Sequence, residues 1–268
     1  MNAKILTLTN TEQGTVTLPS QFHEPIRSDL ISRAVRSILC NARQPYGNHP
    51  GAGQRQSAKL SRRRRDFKGA YGMGISRVPR KTLSRNGTRM NWVGAVAPGT
   101  VKGRQAHPPT SRKLWEVKIN AKENRKAIRS AMAASMDKSA VLQRGHHAPA
   151  MYPFILDTSA EQLHKTKDLV KALQALGLSK ELERGAQSKI CTGRSATRGR
   201  RVRNPRSILI VVSKACGLSD AGHNISGVEV CPVMSLNAEL LAPGGVPGRL
   251  TLYTAAAIEH LAKNKLFA

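Results

Sequence analysis

Arg62-Arg63-Arg64-Arg65 is a solid block of four guanidiniums, and Arg77, Arg80, Lys81, Arg85 and Arg89 follow it closely. A guanidinium presents a planar fork of donors that bonds phosphate in pairs and lies flat on aromatic rings. The chemistry these residues suit is the binding of a phosphate-bearing polyanion. Between Arg43 and Lys113 there are 17 Lys/Arg and a single acid, Asp66, for a formal net charge of +16. The other cations are Arg43, Arg55, Lys59, Lys68, Lys102, Arg104, Arg112 and Lys113. Solvated charge runs usually mix Lys with Glu, whereas here the acids are missing. Tyr46, Phe67, Tyr71 and Trp92 stand between the cations, where they could stack on unpaired bases. RNA is the first candidate ligand. All these cations, with Tyr46, Tyr71, Trp92 and His107, are expected to contact it, mainly through phosphates.

Catalytic and metal-binding alternatives are poorly supplied. Gly69-Ala70-Tyr71-Gly72-Met73-Gly74 has neither a buried strand before it nor a helix after it, as a nucleotide loop needs. Its glycines instead permit a tight turn or a close approach of backbone to phosphate. Asp157 follows an apolar run, where it would end a strand and cap the next turn. The chain has no Gly-x-Ser-x-Gly elbow and only 16 acids, so no catalytic set is expected. His107-Pro108-Pro109 reads as a rigid extended segment, because proline fixes its own φ and extends the residue before it. Cys40, Cys191, Cys216 and Cys231 form no CxxC pair and have no histidine at zinc spacing, so reduced thiols are expected.

The segment 43–113 also holds ten Gly and six Pro and no periodic apolar stripe. It cannot bury a core of its own, so it should order only on its ligand. The rest of the chain has folding signals. Lys4–Leu8 and Gly14–Leu18 read as a hairpin, and Ser28 or Asp29 caps a helix to about Cys40. A helix is expected over Asn120–Met136, a short strand at Val141-Leu142, and a buried strand over Tyr152–Asp157. The periodicity predicts a long helix over Ser159–Leu176 and a brief one over Ser179–Arg184. Ile208–Val212 and Val228–Val233 read as strands, Ser235–Leu241 as a short helix, and Leu250–Tyr253 as a last strand. Thr254 then caps a helix over Ala255–Lys263. Within 43–113, only Trp92–Val96 looks like strand.

Strands alternating with helices argue for a mainly parallel sheet covered on both faces. The expected fold is therefore α/β: a single three-layer domain, 1–42 with 114–268, and a long extended basic arm, 43–113, inserted after the first helix. Gly185–Arg206 is a second basic segment with seven Lys/Arg and no acid. Its Arg194, Arg198, Arg200, Arg201 and Arg203 are further expected RNA contacts. The whole chain carries +28, which calls for a neutralising partner. A membrane is not expected to be that partner. No amphipathic basic helix with a bulky apolar face is visible, no apolar run of signal length follows Met1, and no stretch approaches ~20 apolar residues.

Three motifs carry a resemblance to a known family. They are Arg43-Gln44-Pro45-Tyr46-Gly47-Asn48 with Pro50–Gly53, Gly103–Pro109, and Leu240–Leu252 (LLAPGGVPGRLTL). Together with Gly72–Arg80 and Asn120–Ala131, in this order, they resemble the ribosomal protein L-four family, a universal large-subunit family, in its archaeal or eukaryotic form. The resemblance implies a non-enzymatic, structural protein of the large ribosomal subunit in the cytoplasm. Its partners would be large-subunit ribosomal RNA, neighbouring large-subunit proteins and, near the arm tip, the nascent peptide. The tip residues Gly72, Met73, Gly74, Arg77 and Arg80 would lie beside the polypeptide exit tunnel. No cofactor or small-molecule substrate is implied, any magnesium being held by the RNA. Composition alone fits a second reading, an RNA- or DNA-binding regulator outside the ribosome.

Overall fold

The apolar run Ile208–Val212 is buried throughout, as a strand covered on both faces must be. It forms part of the central sheet in this computed structural model, which describes residues 2–267. The chain divides into two units: Met1–Ala42 with Glu116–Ala268, and Arg43–Trp115. In order, the elements are β1 (Asn2–Leu6), β2 (Glu12–Thr17) and α1 (Ser28–Asn41), then β3 (Arg80–Asn86) and β4 (Arg89–Gly94) in the second unit. The first unit resumes with α2 (Ala121–Met136), α3 (Lys138–Gln143), β5 (Phe154–Leu156), α4 (Thr166–Ala175) and α5 (Ser179–Ala186). There follow β6 (Lys189–Ile190), α6 (Arg194–Thr197), β7 (Val202–Arg203), β8 (Leu209–Val212), α7 (Leu218–His223) and β9 (Glu229–Pro232). The chain ends with α8 (Ala238–Leu241), β10 (Thr251–Thr254) and α9 (Ala255–Lys263).

The six-stranded sheet has the order β2-β1-β5-β10-β8-β9. Only the edge hairpin β1–β2 pairs antiparallel, and the other four pairings are parallel. The fold is thus α/β with a mainly parallel sheet, as the alternation of elements implies. Successive side chains of each strand face opposite sides. Ile155, Leu209, Val211 and Tyr253 join one apolar cluster, with Ile31 and Val35 of α1, Met132 of α2 and Ile258 of α9. Phe154, Leu156, Ile210, Val212 and Leu252 join the other, with Leu169 and Leu173 of α4 and Leu218 of α7.

Two expectations fail for local reasons. Val141-Leu142 is not strand but lies in α3, because Asp137 accepts a hydrogen bond from the Ser139 N–H and starts a helix there. The long helix over Ser159–Leu176 is split. Asp157 caps a 3₁₀ turn, Thr158–Gln162, Leu163 and Lys165 are extended, and α4 begins only at Thr166. Glu161 explains the break. Its carboxylate accepts from the Ser213 N–H at 2.8 Å, the Ser213 hydroxyl at 2.6 Å and the Thr254 hydroxyl at 2.6 Å. That fixes the turn across the ends of β8 and β10, and a continuing helix would carry Glu161 away from them. Asp157 acts as a cap, as expected, its carboxylate accepting from the Thr158 and Ser159 N–H groups.

Thr254 combines two of these roles. It is buried, accepts from the Ala257 N–H at 3.2 Å and bonds Glu161. Thr254→Ala removes the cap of α9, which costs about 1–2 kcal/mol. The expected outcome is a correspondingly lower midpoint in urea unfolding with an unchanged slope.

Candidate nucleic-acid interface

The second unit has almost no core. Among its apolar residues only Ala70 and Ala95 are buried. Its regular structure is the β3–β4 hairpin, closed by the Asn86-Gly87-Thr88 turn with Gly87 left-handed at φ +59°. The pairing Arg80↔Gly94, Lys81↔Val93 and Thr82↔Trp92 makes the segment 80–94 a ribbon, where the sequence suggested only a strand near Trp92–Val96. Turns and irregular backbone fill the remainder.

No cation of this unit forms an ion pair among the described residues. Arg43, Arg55, Lys59, Arg62, Arg63, Arg64, Arg65, Arg77, Arg85, Arg89, Lys102, Arg112 and Lys113 are exposed, as is His107. Lys68, Arg80, Lys81 and Arg104 are half-buried. The lone acid, Asp66, is engaged locally. It is bonded by the Ser61 hydroxyl and the Phe67 N–H, which hold its carboxyl below the usual range. It therefore neutralises none of the arginine block by a direct contact.

The aromatic residues are paired with these cations. The Arg77 guanidinium lies 4.6 Å from the Tyr71 ring centre, Arg80 5.3 Å from Trp92, and Arg85 5.0 Å from Phe67. Arg43 and Lys113 flank Trp115 at 4.5 and 5.3 Å, and Tyr46 packs on the same indole at 4.7 Å. Trp115 was absent from the sequence-derived candidates. Its position two residues after Lys113 was the available signal. These distances put the cations within cation–π reach of the rings, and the same side chains suit stacking as well as phosphate bonding.

The tip residues expected from the resemblance lie in an open turn. Gly72 and Gly74 are left-handed at φ +78° and +68°, and Met73 is exposed. Arg77 follows on exposed chain, and Arg80 opens β3, bonded to the Ser76 hydroxyl.

Close backbone contacts join the two ends of the unit. The Asn48 N–H donates to the Pro109 carbonyl at 2.9 Å. A Cβ on Gly53 would stand 2.5 Å from the Arg104 nitrogen, and Gly53 is itself left-handed at φ +76°. Gly53→Val is therefore expected to separate the limbs 48–54 and 103–110. Limited proteolysis checks this, through faster cleavage between residues 43 and 113 than in the unsubstituted chain.

In the first unit, β6 and β7 form a second, smaller ribbon with Ile190 opposite Val202. Arg194, Arg198, Arg200, Arg201 and Arg203 are all exposed on it or on the α6 turn it encloses. The sequence showed here only a basic segment, because two residues per strand leave no readable period.

A buried charged network sits near it. Glu181 is fully buried, with His146 Nδ1 at 2.7 Å, Arg184 Nη2 at 2.6 Å and the Ser207 hydroxyl at 2.9 Å from its Oε1. Its Oε2 accepts from the His147 N–H and from Arg184 Nε. Burial pushes the Glu181 carboxyl up, but these donors outweigh burial and bring it to about 2. Burial lowers His146 against the opposing pull of Glu181. Arg249 is also fully buried. It donates to the Ser207 and Leu240 carbonyls and to Glu229 at 2.6 Å.

The family model described as "Ribosomal protein L4/L1 family" matches residues 16–264. The large ribosomal subunit protein uL4 of Nanoarchaeum equitans is 44% identical over 268 residues, covering all of both chains. That of Methanococcoides burtonii is 41% identical over 260 residues, 97% of each chain. That of Archaeoglobus fulgidus is 38% identical over 262 residues, 97% of this chain and 98% of the relative.

Proposed function

The chain belongs to the ribosomal protein L4/L1 family, a family of structural, non-enzymatic large-subunit proteins, and we propose that it binds large-subunit ribosomal RNA through the unit 43–115. The observation that carries this is the set of 17 cations with one acid and no ion pair among the described residues. So much unpaired charge of one sign repels itself, and a polyanion removes the repulsion while its condensed counterions are released.

The backbone supports the same reading. Arg65, Lys68, Val96 and Lys102 are non-glycine residues at φ between +58° and +63°. Each such residue costs roughly 1–2 kcal/mol, and a unit with two buried alanines has little to offset it. RNA contact supplies what is missing. The final ordering of the unit is coupled to binding, as an extended arm threaded through RNA. Arg43, Tyr46, Arg55, Lys59, Arg62–Arg65, Lys68, Tyr71, Arg77, Arg80, Lys81, Arg85, Arg89, Trp92, Lys102, Arg104, His107, Arg112 and Lys113 make the contacts. Arg194, Arg198, Arg200, Arg201 and Arg203 extend them on the α/β domain, 1–42 with 116–268.

Family membership supports a location in cytoplasmic ribosomes beside other large-subunit proteins. It also supports setting Gly72, Met73, Gly74, Arg77 and Arg80 next to the exit tunnel and the nascent peptide. No cofactor enters this role, and magnesium belongs to the RNA. Sucrose-gradient sedimentation of cell extract tests the assignment. The chain is expected in the large-subunit peak, and a chain confined to the top of the gradient would instead favour a regulator outside the ribosome.

A further inference from the structure

Asn86-Gly87 is the chain's one Asn-Gly pair, and it sits at the head of the β3–β4 ribbon. Asn86 pairs with Arg89, so Gly87 and Thr88 form a two-residue loop with glycine first and left-handed at φ +59°. Asparagine before glycine is also chemically labile, because the following backbone nitrogen reaches the side-chain amide carbon readily when no Cβ intervenes. Three observations open this route here. Asn86, Gly87 and Thr88 are all exposed. Nothing lies within 4 Å of the place where a Cβ of Gly87 would stand. No hydrogen bond holds the Asn86 side chain among the described residues, whereas Asn91 on the facing strand donates to the Ser84 hydroxyl at 2.9 Å.

The charge around the turn promotes the reaction. Ring closure begins with loss of the Gly87 N–H proton, and neighbouring cations favour an anionic nitrogen. Arg85 Nε donates to the Gly87 carbonyl at 2.8 Å, and Arg89 stands across the turn. The one acid of the unit, Asp66, is bonded by Ser61 and Phe67 instead. The Gly87 nitrogen then forms a bond to Asn86 Cγ, and the Cγ–Nδ2 bond breaks. The side-chain nitrogen leaves as ammonia with the proton taken from Gly87. Water opens the resulting five-membered imide at either carbonyl and restores the Gly87 N–H. Residue 86 becomes aspartate, or its isomer with the backbone routed through Cβ, and the new carboxyl gives its proton to solvent.

We propose that Asn86-Gly87 is a self-modification site, at which the chain free of its ligand converts Asn86 to aspartate and isoaspartate. The product places a carboxylate between Arg85 and Arg89, where it competes with phosphate. The isomer also lengthens the backbone in a turn that has only two residues. RNA seated on Arg85 and Arg89 holds the ribbon and protects the amide, so that only chain outside its complex ages into a weaker binder. This protective part rests on RNA being the ligand, as proposed above; the chemistry of the free chain does not.

The test incubates the full chain without RNA in heavy-oxygen water, in buffers from mildly acidic to mildly alkaline, and follows residue 86 by peptide mass spectrometry. The Asn86 peptide is expected to gain one heavy oxygen, in two separable isomers, at a rate that rises with pH. Asn48, Asn204 and Asn224 are exposed but precede His49, Pro205 and Ile225, and they serve as references. They are expected to convert at most roughly one-tenth as fast. Asn86→Gln, whose ring would be one atom larger, is expected to stay unlabelled. Conversion of Asn86 no faster than the references, equal labelling in Asn86→Gln, or a rate that does not rise with pH overturns the proposal. A ribosomal RNA fragment added first is expected to slow the conversion. Asn86→Asp is expected to bind that fragment several-fold more weakly at low salt, with a salt slope smaller by about 0.7–0.9. Both variants change an exposed side chain and are expected to melt with the parent, which a thermal scan verifies. Unchanged conversion under bound RNA, or unchanged affinity of Asn86→Asp, overturns the protective part. An unmodified chain that binds no RNA would instead sink the RNA reading and leave the conversion of the free chain standing.

Discussion

Replacing Arg62, Arg63, Arg64 and Arg65 together by alanine is expected to flatten the salt dependence of ribosomal RNA binding. Each phosphate neutralised contributes about 0.7–0.9 to the slope of log affinity against log salt. Four exposed guanidiniums without ion pairs should therefore account for a slope change of about 3. Affinity falls most at low salt, and the two chains converge as salt rises. Fold is not at stake, because these side chains are exposed in a unit whose buried apolar residues are Ala70 and Ala95 alone. Filter binding from 50 to 400 mM salt, over which the screening length falls from about 14 to about 5 Å, reads the effect. An unchanged slope would show that the block faces solvent in the complex.

Glu181→Ala tests the opposite kind of charge, one that is paired and buried. The substitution leaves Arg184 and the His147 N–H without their acceptor and opens a void beside Ser207. Removing one partner of a buried ion pair costs about 3–5 kcal/mol, a large part of a domain's usual margin of about 5–15 kcal/mol. For a domain of this size that is a fall of roughly 6–20 °C in Tm. Acid should act in the same direction. The Glu181 carboxyl is held near 2 in the fold and titrates near 4.5 in the unfolded chain. Its stabilisation is complete above about pH 4.5 and is lost as pH falls towards 2. His146 is lowered from 6.5 by burial, so the unfolded chain takes up its proton first and stability begins to decline below about pH 6.5. Glu181→Gln should remove the lower of these two components while leaving the upper one. Melting curves between pH 3 and pH 7 separate them.

These cases show what a sequence displays and what it hides. The α9 helix and its Thr254 cap were legible because a side-chain oxygen stands directly before an apolar, alanine-rich run. The parallel sheet was legible from apolar runs such as Ile208–Val212, which only a strand covered on both faces can bury. The β3–β4 ribbon was not, because RKTLSRN has no apolar alternation, and only Asn86-Gly87 marked the turn. The α7 helix is six residues long and includes Gly222, where a Cβ would meet Val230 at 2.4 Å, so packing rather than propensity sets it. Glu161 broke a predicted helix by bonding residues more than fifty positions away, which no local pattern reveals. At the candidate interface the cations were legible by their number. Their aromatic partners needed geometry, and so did Trp115.

The central claim is that residues 43–115 are an RNA-binding unit of the large ribosomal subunit. A cryo-electron microscopy map of large subunits purified from cells expressing this chain tests it most directly. The account predicts the unit enclosed by ribosomal RNA, with Arg62–Arg65 and Arg77–Arg89 against phosphates and bases. A map with residues 43–115 projecting into solvent, or with the chain absent from the subunit, would contradict it.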